Sequence, residues 1–483
     1  MVRKQSPLAA GSHALHRPLR LRDLVLTQVL CVVGSSWVGI AAGLGRAQAL
    51  TWIAAMVLFY LPMAVSVIYL NREMPLEGGL YVWARRAFGD LGGFMTAWNL
   101  WFYGIAITAS ILYAIPTELS YFIGPSAAWL PENHLASFAI VGIVVLAITA
   151  AALRGLELAK WIHNIGGISI LIVYCALIVL PFWAMARHMH IHYEPLPLQL
   201  PQRNMISLAL FGQMLFGALC GLEYIAILAG ESRDAARSIG QSVVFASPMI
   251  CAMFIAGTSS VLAFSRGHID YIAPIPQTLR YALGNSGPTN SLANLFAMVA
   301  ILLLQFRLIA AASFIFTGVT RLPMAAGWDH LIPAWFTRLH PRYRTPTNSV
   351  IFTCALVLLL LFLGNIGVRA QEAFQTLSNA GIAHYEIAYL AMFAIPLIGA
   401  RGLRATLPRW IRWTSITGFV ATLFSLLISA YPFVDVVDAR AYAAKIIGTT
   451  LVSNIIGYTF YRTRNRRSTG AAHAAAAPLA PDA

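Results

Sequence analysis

Charge is scarce in this sequence. Only 11% of its 483 residues are Asp, Glu, Lys or Arg, where soluble domains carry about a quarter. With so little charge and so much apolar surface, neither a water-soluble body nor a disordered chain is tenable. Cysteine is sparse too. The five cysteines, Cys31, Cys175, Cys220, Cys251 and Cys354, lie inside apolar runs, and none forms a CxxC pair. That excludes a disulfide-built secreted scaffold and a zinc framework, and leaves buried, inert thiols. Catalytic signatures are missing as well. No HExxH, GxSxG, Walker A or GxGxxG stands in a fitting context. No catalytic residue, metal site or cofactor is assigned, and neither an enzyme nor an ATP-driven pump has a site to rest on.

What fills the chain is apolar: 59% of the residues, with a mean hydropathy of +0.70. Apolar stretches of about 18–30 residues recur from end to end, each long enough to cross a bilayer core. They fall at 24–45, 50–70, 93–122, 135–153, 161–187, 205–229, 239–264, 291–322, 347–364, 374–397, 411–431 and 442–461. Helices are expected, because a helix satisfies its own backbone hydrogen bonds in lipid. The alternation of a membrane barrel strand is absent. The reading is an all-α polytopic membrane protein with about twelve transmembrane helices. The first stretch is too long for a cleaved signal peptide, lacks a cleavage site and is followed at once by a second span.

The net charge of +15 is explained by where the basic residues fall. Of the 33 Lys and Arg, 24 assign to one face of the predicted topology, eight to the other, and Arg307 alone to a span. Such a bias puts both termini in the cytoplasm and needs no nucleic acid partner. The N-terminal tail is 1–22. A C-terminal tail, 464–483, opens on an Arg cluster suited to anionic membrane lipid and ends in an Ala/Pro run expected to be unstructured.

Function is sought where helices break. The first span holds Gly34-Ser35-Ser36, then Gly39, Gly43 and Gly45. The sixth holds Gly212, Gly217, Gly221 and Gly230, with Glu223 just past Gly221. Glycine-interrupted spans at matching places in two halves point to a transporter's binding site. An unwound segment frees backbone N–H groups for a carboxylate and carbonyls for an amine or cation. Each glycine taken singly also has a packing reading, since small residues let membrane helices approach closely. Three ionisable residues in spans stand out: Glu223, Arg307 and Glu386. Such groups are costly in lipid and are functional candidates. Glu223 and Glu386 are candidates for carrying a proton, or for static partnering; His384 precedes Glu386 by two residues. Arg307 pairs with one of the glutamates, snorkels, or contacts substrate. His188, His190 and His192 alternate in a loop, where a solvated reading outweighs a metal site. Trp98 and Trp101 read as packing, and Ser313 and Thr317 as back-bonded to their own helix.

Several segments then become recognisable. "NREMPLEGGLYVWARRAFGDLGGFMTAWNLW" (71–101), "FGALCGLEYIAILAGESRDAARSIGQSV" (216–243) and "TGVTRLPMAAGWDHLIPAWFTRLHPRYRTPTNSV" (317–350) resemble signatures of the amino acid–polyamine–organocation superfamily. "GSSWVG" stands where that family has Gly-Ser-Gly-Ile. The resemblance implies a LeuT-type fold. Residues 23–200 and 201–400 would be inverted repeats of five helices each, with two further helices in 401–463. It implies secondary transport of amino acids or related amines. Carried onto this chain, Gly34, Ser35 and Ser36, with Gly39 in the same motif, would bind the substrate carboxylate. Phe216, Gly217, Ala218, Cys220 and Gly221 would bind its amino group and line its pocket. Three departures matter. Ser36 replaces a glycine, Gly217 replaces a residue often aromatic, and no lysine follows Asn164 at the fifth-helix position used by many proton-coupled relatives. A permease driven by protons or by exchange is expected. A polyamine or organic-cation carrier is the alternative, and a non-transporting sensor a third.

Overall fold

In the computed structural model the description covers residues 21–475 except 75–78, 223–234, 266, 285–290, 326–327, 329–330, 344, 365, 367 and 399–407. Among the described residues every regular element is helical. The first apolar stretch is two helices, α1 (Leu21–Val32) and α2 (Ser35–Ala42), bent by 48° across a two-residue gap. Then come α3 (Gly45–Glu73), α4 (Leu80–Ile123), α5 (His134–Arg154) and α6 (Leu156–Ala186). The second half follows with α7 (Met205–Gly217), α8 (Ala235–Phe264), the short α9 (Pro274–Leu279) and α10 (Ser291–Ala325). It closes with α11 (Thr347–Gly364), α12 (Ala370–Ile398), α13 (Arg409–Ile428) and α14 (Ala439–Ala475).

Local sequence explains the punctuation. Asn133 and Asn204 cap α5 and α7, accepting the N–H of Ala136 at 3.0 Å and of Ser207 at 2.8 Å. α4 begins well before the expected 93–122 span, because it turns at Gly89, whose φ of 79° suits glycine. Within α3 the turn Met56–Tyr60 is a π segment. Pro62 follows it and cannot donate to the ladder.

Nine helices among the described residues are long and apolar enough to cross a membrane, and the bent α1–α2 pair makes a tenth. The other two expected spans fall on α7, which is short, and on α14, whose apolar stretch is interrupted by Lys445, Ser453 and Asn454. The helix α14 runs on to Ala475. The run after the Arg cluster is rich in alanine, the strongest helix former, and meets no proline before Pro478.

α4 and α12 pack along one another at the centre, and α10 lies against both α4 and α6. Small residues set these distances. A Cβ on Gly104 of α4 would fall 1.9 Å from Val319 of α10, and one on Gly381 of α12 would fall 3.1 Å from Ala106. α5 and α11 turn large apolar side chains such as Ile143, Leu146, Ile351 and Leu359 outward, as a lipid-facing shell requires. α9 lies on α2, where Pro274 occupies the space a Cβ on Gly39 would take. Its loop is fastened by Asp270, which accepts the N–H groups of Ile272 and Ala273 at 2.9 and 3.1 Å and the Tyr121 hydroxyl at 3.0 Å.

Candidate functional site

The first break is a helix end facing a helix start. Gly34 is extended, at φ −113° and ψ 149°, so α1 stops and α2 restarts at Ser35. Stopping a helix strands its last carbonyls. Arg307 of α10 takes two of them, its Nη2 donating to Leu30 O at 3.0 Å and to Val33 O at 2.6 Å. The Tyr174 hydroxyl of α6 donates to Gly34 O at 3.0 Å. A cation thus sits at the negative end of the α1 dipole. Across the gap α2 presents its first N–H groups with no side-chain cap. Ser35 adds a buried hydroxyl without a hydrogen-bond partner among the described residues.

The second break ends α7. Its last turn, Gln213–Gly217, is a π segment. The chain then tightens, with Cys220 N–H donating to Phe216 O at 2.9 Å. Gly221 has φ +108°, a conformation that glycine adopts without steric cost. Its N–H donates to the Tyr389 hydroxyl of α12 at 3.2 Å.

A cavity of about 70 Å³ lies between the two breaks, room for several waters. Gly34, Ser35 and Ser36 line one side, and Gly217, Cys220 and Gly221 line another. Among the described residues, the charged side chains on its wall are Arg307 and Glu118. Trp37 lies across the space between the breaks. A Cβ on Gly34 would come within 2.8 Å of its five-membered ring, and one on Gly217 within 2.9 Å of its six-membered ring. Both glycines therefore make room for one indole.

Other expected site residues sit elsewhere. Gly39 is off the cavity and packs against α9. Phe216 is fully buried among Phe59, Tyr385 and Tyr389, with ring centroids 5.0, 5.7 and 5.0 Å away. Ala218 is buried beside it and does not reach the cavity. Glu386 is fully buried and also off the cavity wall. Glu223 lies outside the described residues. His384 bonds Ala380 O at 2.7 Å through Nδ1 and Ser453 Oγ through Nε2, and stacks on Phe102. It joins α12 to α14 and is a packing group. Trp98 donates to Ser453 O at 3.0 Å and packs with Trp101 and Trp328. His192 pairs with Glu194 at 2.8 Å, and Arg46 joins them at 2.9 Å. His192 first, then Arg46, hold the Glu194 carboxyl below its ordinary range.

Sequence reasoning missed four contributors: Glu118, Trp37, Tyr174 and Tyr389. The signal for Glu118 was present, an acid inside the apolar run "ILYAIPTELSYFI". The tyrosines gave none.

The sequence model of a family described as amino acid permease matches residues 24–457. The chain belongs to that family. Among relatives of this permease is an uncharacterized transporter of Legionella pneumophila, 26% identical over 89% of each chain. A probable agmatine/putrescine antiporter of Lactococcus lactis is 23% identical over 76% of this chain and 77% of its own. A branched-chain amino acid permease of Bacillus subtilis is 23% identical over 71% and 74%. The permease chain is thus a multi-pass membrane protein, helical throughout its described residues, with a cavity between the α1–α2 break and the end of α7.

Proposed function

We propose that the permease carries an amino acid or a related amine across the cytoplasmic membrane by alternating access. The observation that carries this reading is the cavity bounded by the α1–α2 break and the end of α7. The N–H groups at the start of α2 suit a carboxylate, and the loosened backbone at Gly217–Gly221 suits an amine. Gly34, Ser35 and Ser36 are assigned to the first role, and Gly217, Cys220 and Gly221 to the second. Twelve crossings, arranged as inverted repeats in 23–200 and 201–400 with both termini in the cytoplasm, agree with the charge bias and with the matching positions of the breaks.

Coupling to protons or exchange against a second substrate is favoured over sodium. The carbonyl end of α1, where a free cation would be drawn, already holds the Arg307 guanidinium. Glu223 is the proton-carrying candidate, since Glu386 lies off the cavity. An amine-selective carrier is the second reading, favoured by the carboxylate of Glu118 on the cavity wall.

Uptake into proteoliposomes tests the function. Labelled leucine, arginine, agmatine and putrescine are offered with and without an inward proton gradient. Gradient-driven uptake of any one supports a proton symporter, and Glu223→Gln should then flatten the pH dependence. Uptake seen only after preloading with unlabelled substrate supports an exchanger. No uptake of any of the four under either condition refutes the reading.

A further inference from the structure

Glu118 is an acid without a stated purpose. It lies in the last two turns of α4, after Pro116, is 0% exposed and lines the cavity. Neither carboxylate oxygen has a hydrogen-bond partner among the described residues. Donors on the neighbouring turns are committed elsewhere. Gln305 Nε2 donates to Ile115 O at 3.1 Å, and the Tyr121 hydroxyl donates to Asp270 at 3.0 Å. Arg280 donates to Tyr121 O at 2.6 Å, Phe122 O at 2.5 Å and Asn294 at 2.6 Å. Arg307 and Asp270 lie within electrostatic reach of Glu118. Yet Arg307 Nη2 is spent on the carbonyls of Leu30 and Val33, and Asp270 is already satisfied by two N–H groups and a hydroxyl.

A buried carboxylate short of donors is costly to maintain. It becomes favourable when a guest brings the donors. The carboxylate and amine ends of a zwitterion are served by α2 and by the Gly217–Gly221 segment. Glu118 is a third pole on the same wall. We propose that Glu118 is a specificity-determining residue that receives a cationic group of the substrate, an ammonium or guanidinium beyond any α-amine. The substrate class is then a basic amino acid, or a diamine that spans from Glu118 to the sixth-span break. Charge-assisted hydrogen bonds are about twice as strong as neutral ones, so the pair discriminates against guests that end in a methyl group. This inference rests on the transport reading above.

The test is competition for uptake in proteoliposomes bearing wild type or Glu118→Gln, with leucine, arginine, agmatine and putrescine as probes. The wild type should recognise at least one of the three cations better than leucine. In Glu118→Gln that preference should fall by roughly tenfold or more. Glu118→Asp keeps the charge on a shorter arm and should lose less of the preference. It also serves if the Gln variant elutes as an aggregate. Uptake of leucine by the wild type, with no recognition of the cations, overturns this proposal and leaves transport standing. An equal loss for leucine and the cations also overturns it, because the role would be structural. So does a Gln variant that keeps its preference and loses only its response to a proton gradient, since Glu118 would then carry the proton. Failure to take up any of the probes sinks the transport reading, and the proposal with it.

Discussion

The two helix breaks face one cavity but are built in opposite ways. At the first break the chain's carbonyls are held by side chains from other helices. Arg307 takes Leu30 and Val33, and Tyr174 takes Gly34. At the second break the special backbone belongs to the chain itself. Gly221 turns through a positive φ, and a single tyrosine accepts its N–H. The first break is therefore fixed by tertiary contacts, and the second by residue type. A break held by a charged clasp should be stiff and should fail all at once. A break held by one glycine and one neutral hydrogen bond should tolerate partial damage.

Removing the clasp gives the largest expected effect. Arg307→Leu leaves the carbonyls of Leu30 and Val33 without their donor in a buried site. Each orphaned group costs about 1–3 kcal/mol, so the variant should lose transport by at least roughly a hundredfold and melt several degrees lower. Arg307→Lys retains a charge and should recover part of both. A wild-type uptake rate in Arg307→Leu would break the contrast, since the first break would then be held by its own sequence after all.

Gly221→Ala comes next. No heavy atom of the described residues lies within 4 Å of the added Cβ, so the expected cost is the positive φ. A non-glycine residue in a sparsely populated region costs of order 1–3 kcal/mol. Substrate affinity should weaken by roughly tenfold while the folded protein stays monodisperse. Gly217→Ala differs in kind, because its Cβ meets Trp37 at 2.9 Å. That variant should be relieved by Trp37→Phe, and Gly221→Ala should not. Relief of both by the same change would mean that steric room, not φ, governs the second break.

The two breaks were also unequally readable in the sequence. Both announce themselves as glycine runs, and six of the nine residues expected to touch substrate do line the cavity. The other three, Gly39, Phe216 and Ala218, share those motifs but face α9 or the aromatic cluster. A motif fixes a segment, whereas the direction of each side chain depends on which neighbour packs there. Ionisable residues followed the same logic. Arg307 was visible as a charge in a span, but its partners are backbone carbonyls, which carry no signature in sequence. Glu386 and His384 looked like Glu118 by composition. Glu386 and His384 are buried in α12 away from the cavity, whereas Glu118 lies on its wall. Glu118 sits four residues from the end of the expected 93–122 span, where an acid passes for a loop residue.

The smallest predicted effect is the sharpest test of the contrast, because it deletes one hydroxyl at each break. Tyr174→Phe removes the donor to Gly34 O, and Tyr389→Phe removes the acceptor of the Gly221 N–H. Both tyrosines are fully buried, so water does not readily replace what is lost. A neutral hydrogen bond contributes about 0.5–1.5 kcal/mol. In each variant the melting temperature should drop by only a few degrees. The breaks should then part company. Arg307 holds the carbonyls of Leu30 and Val33 just before Gly34, so the clasp persists in Tyr174→Phe and affinity should change by less than about twofold. Gly221 has no such second anchor among the described residues, so Tyr389→Phe should loosen the Gly217–Gly221 segment and weaken binding by roughly five- to tenfold. A reversal of that order would mean that Tyr174, not Arg307, is the element that holds the first break in place.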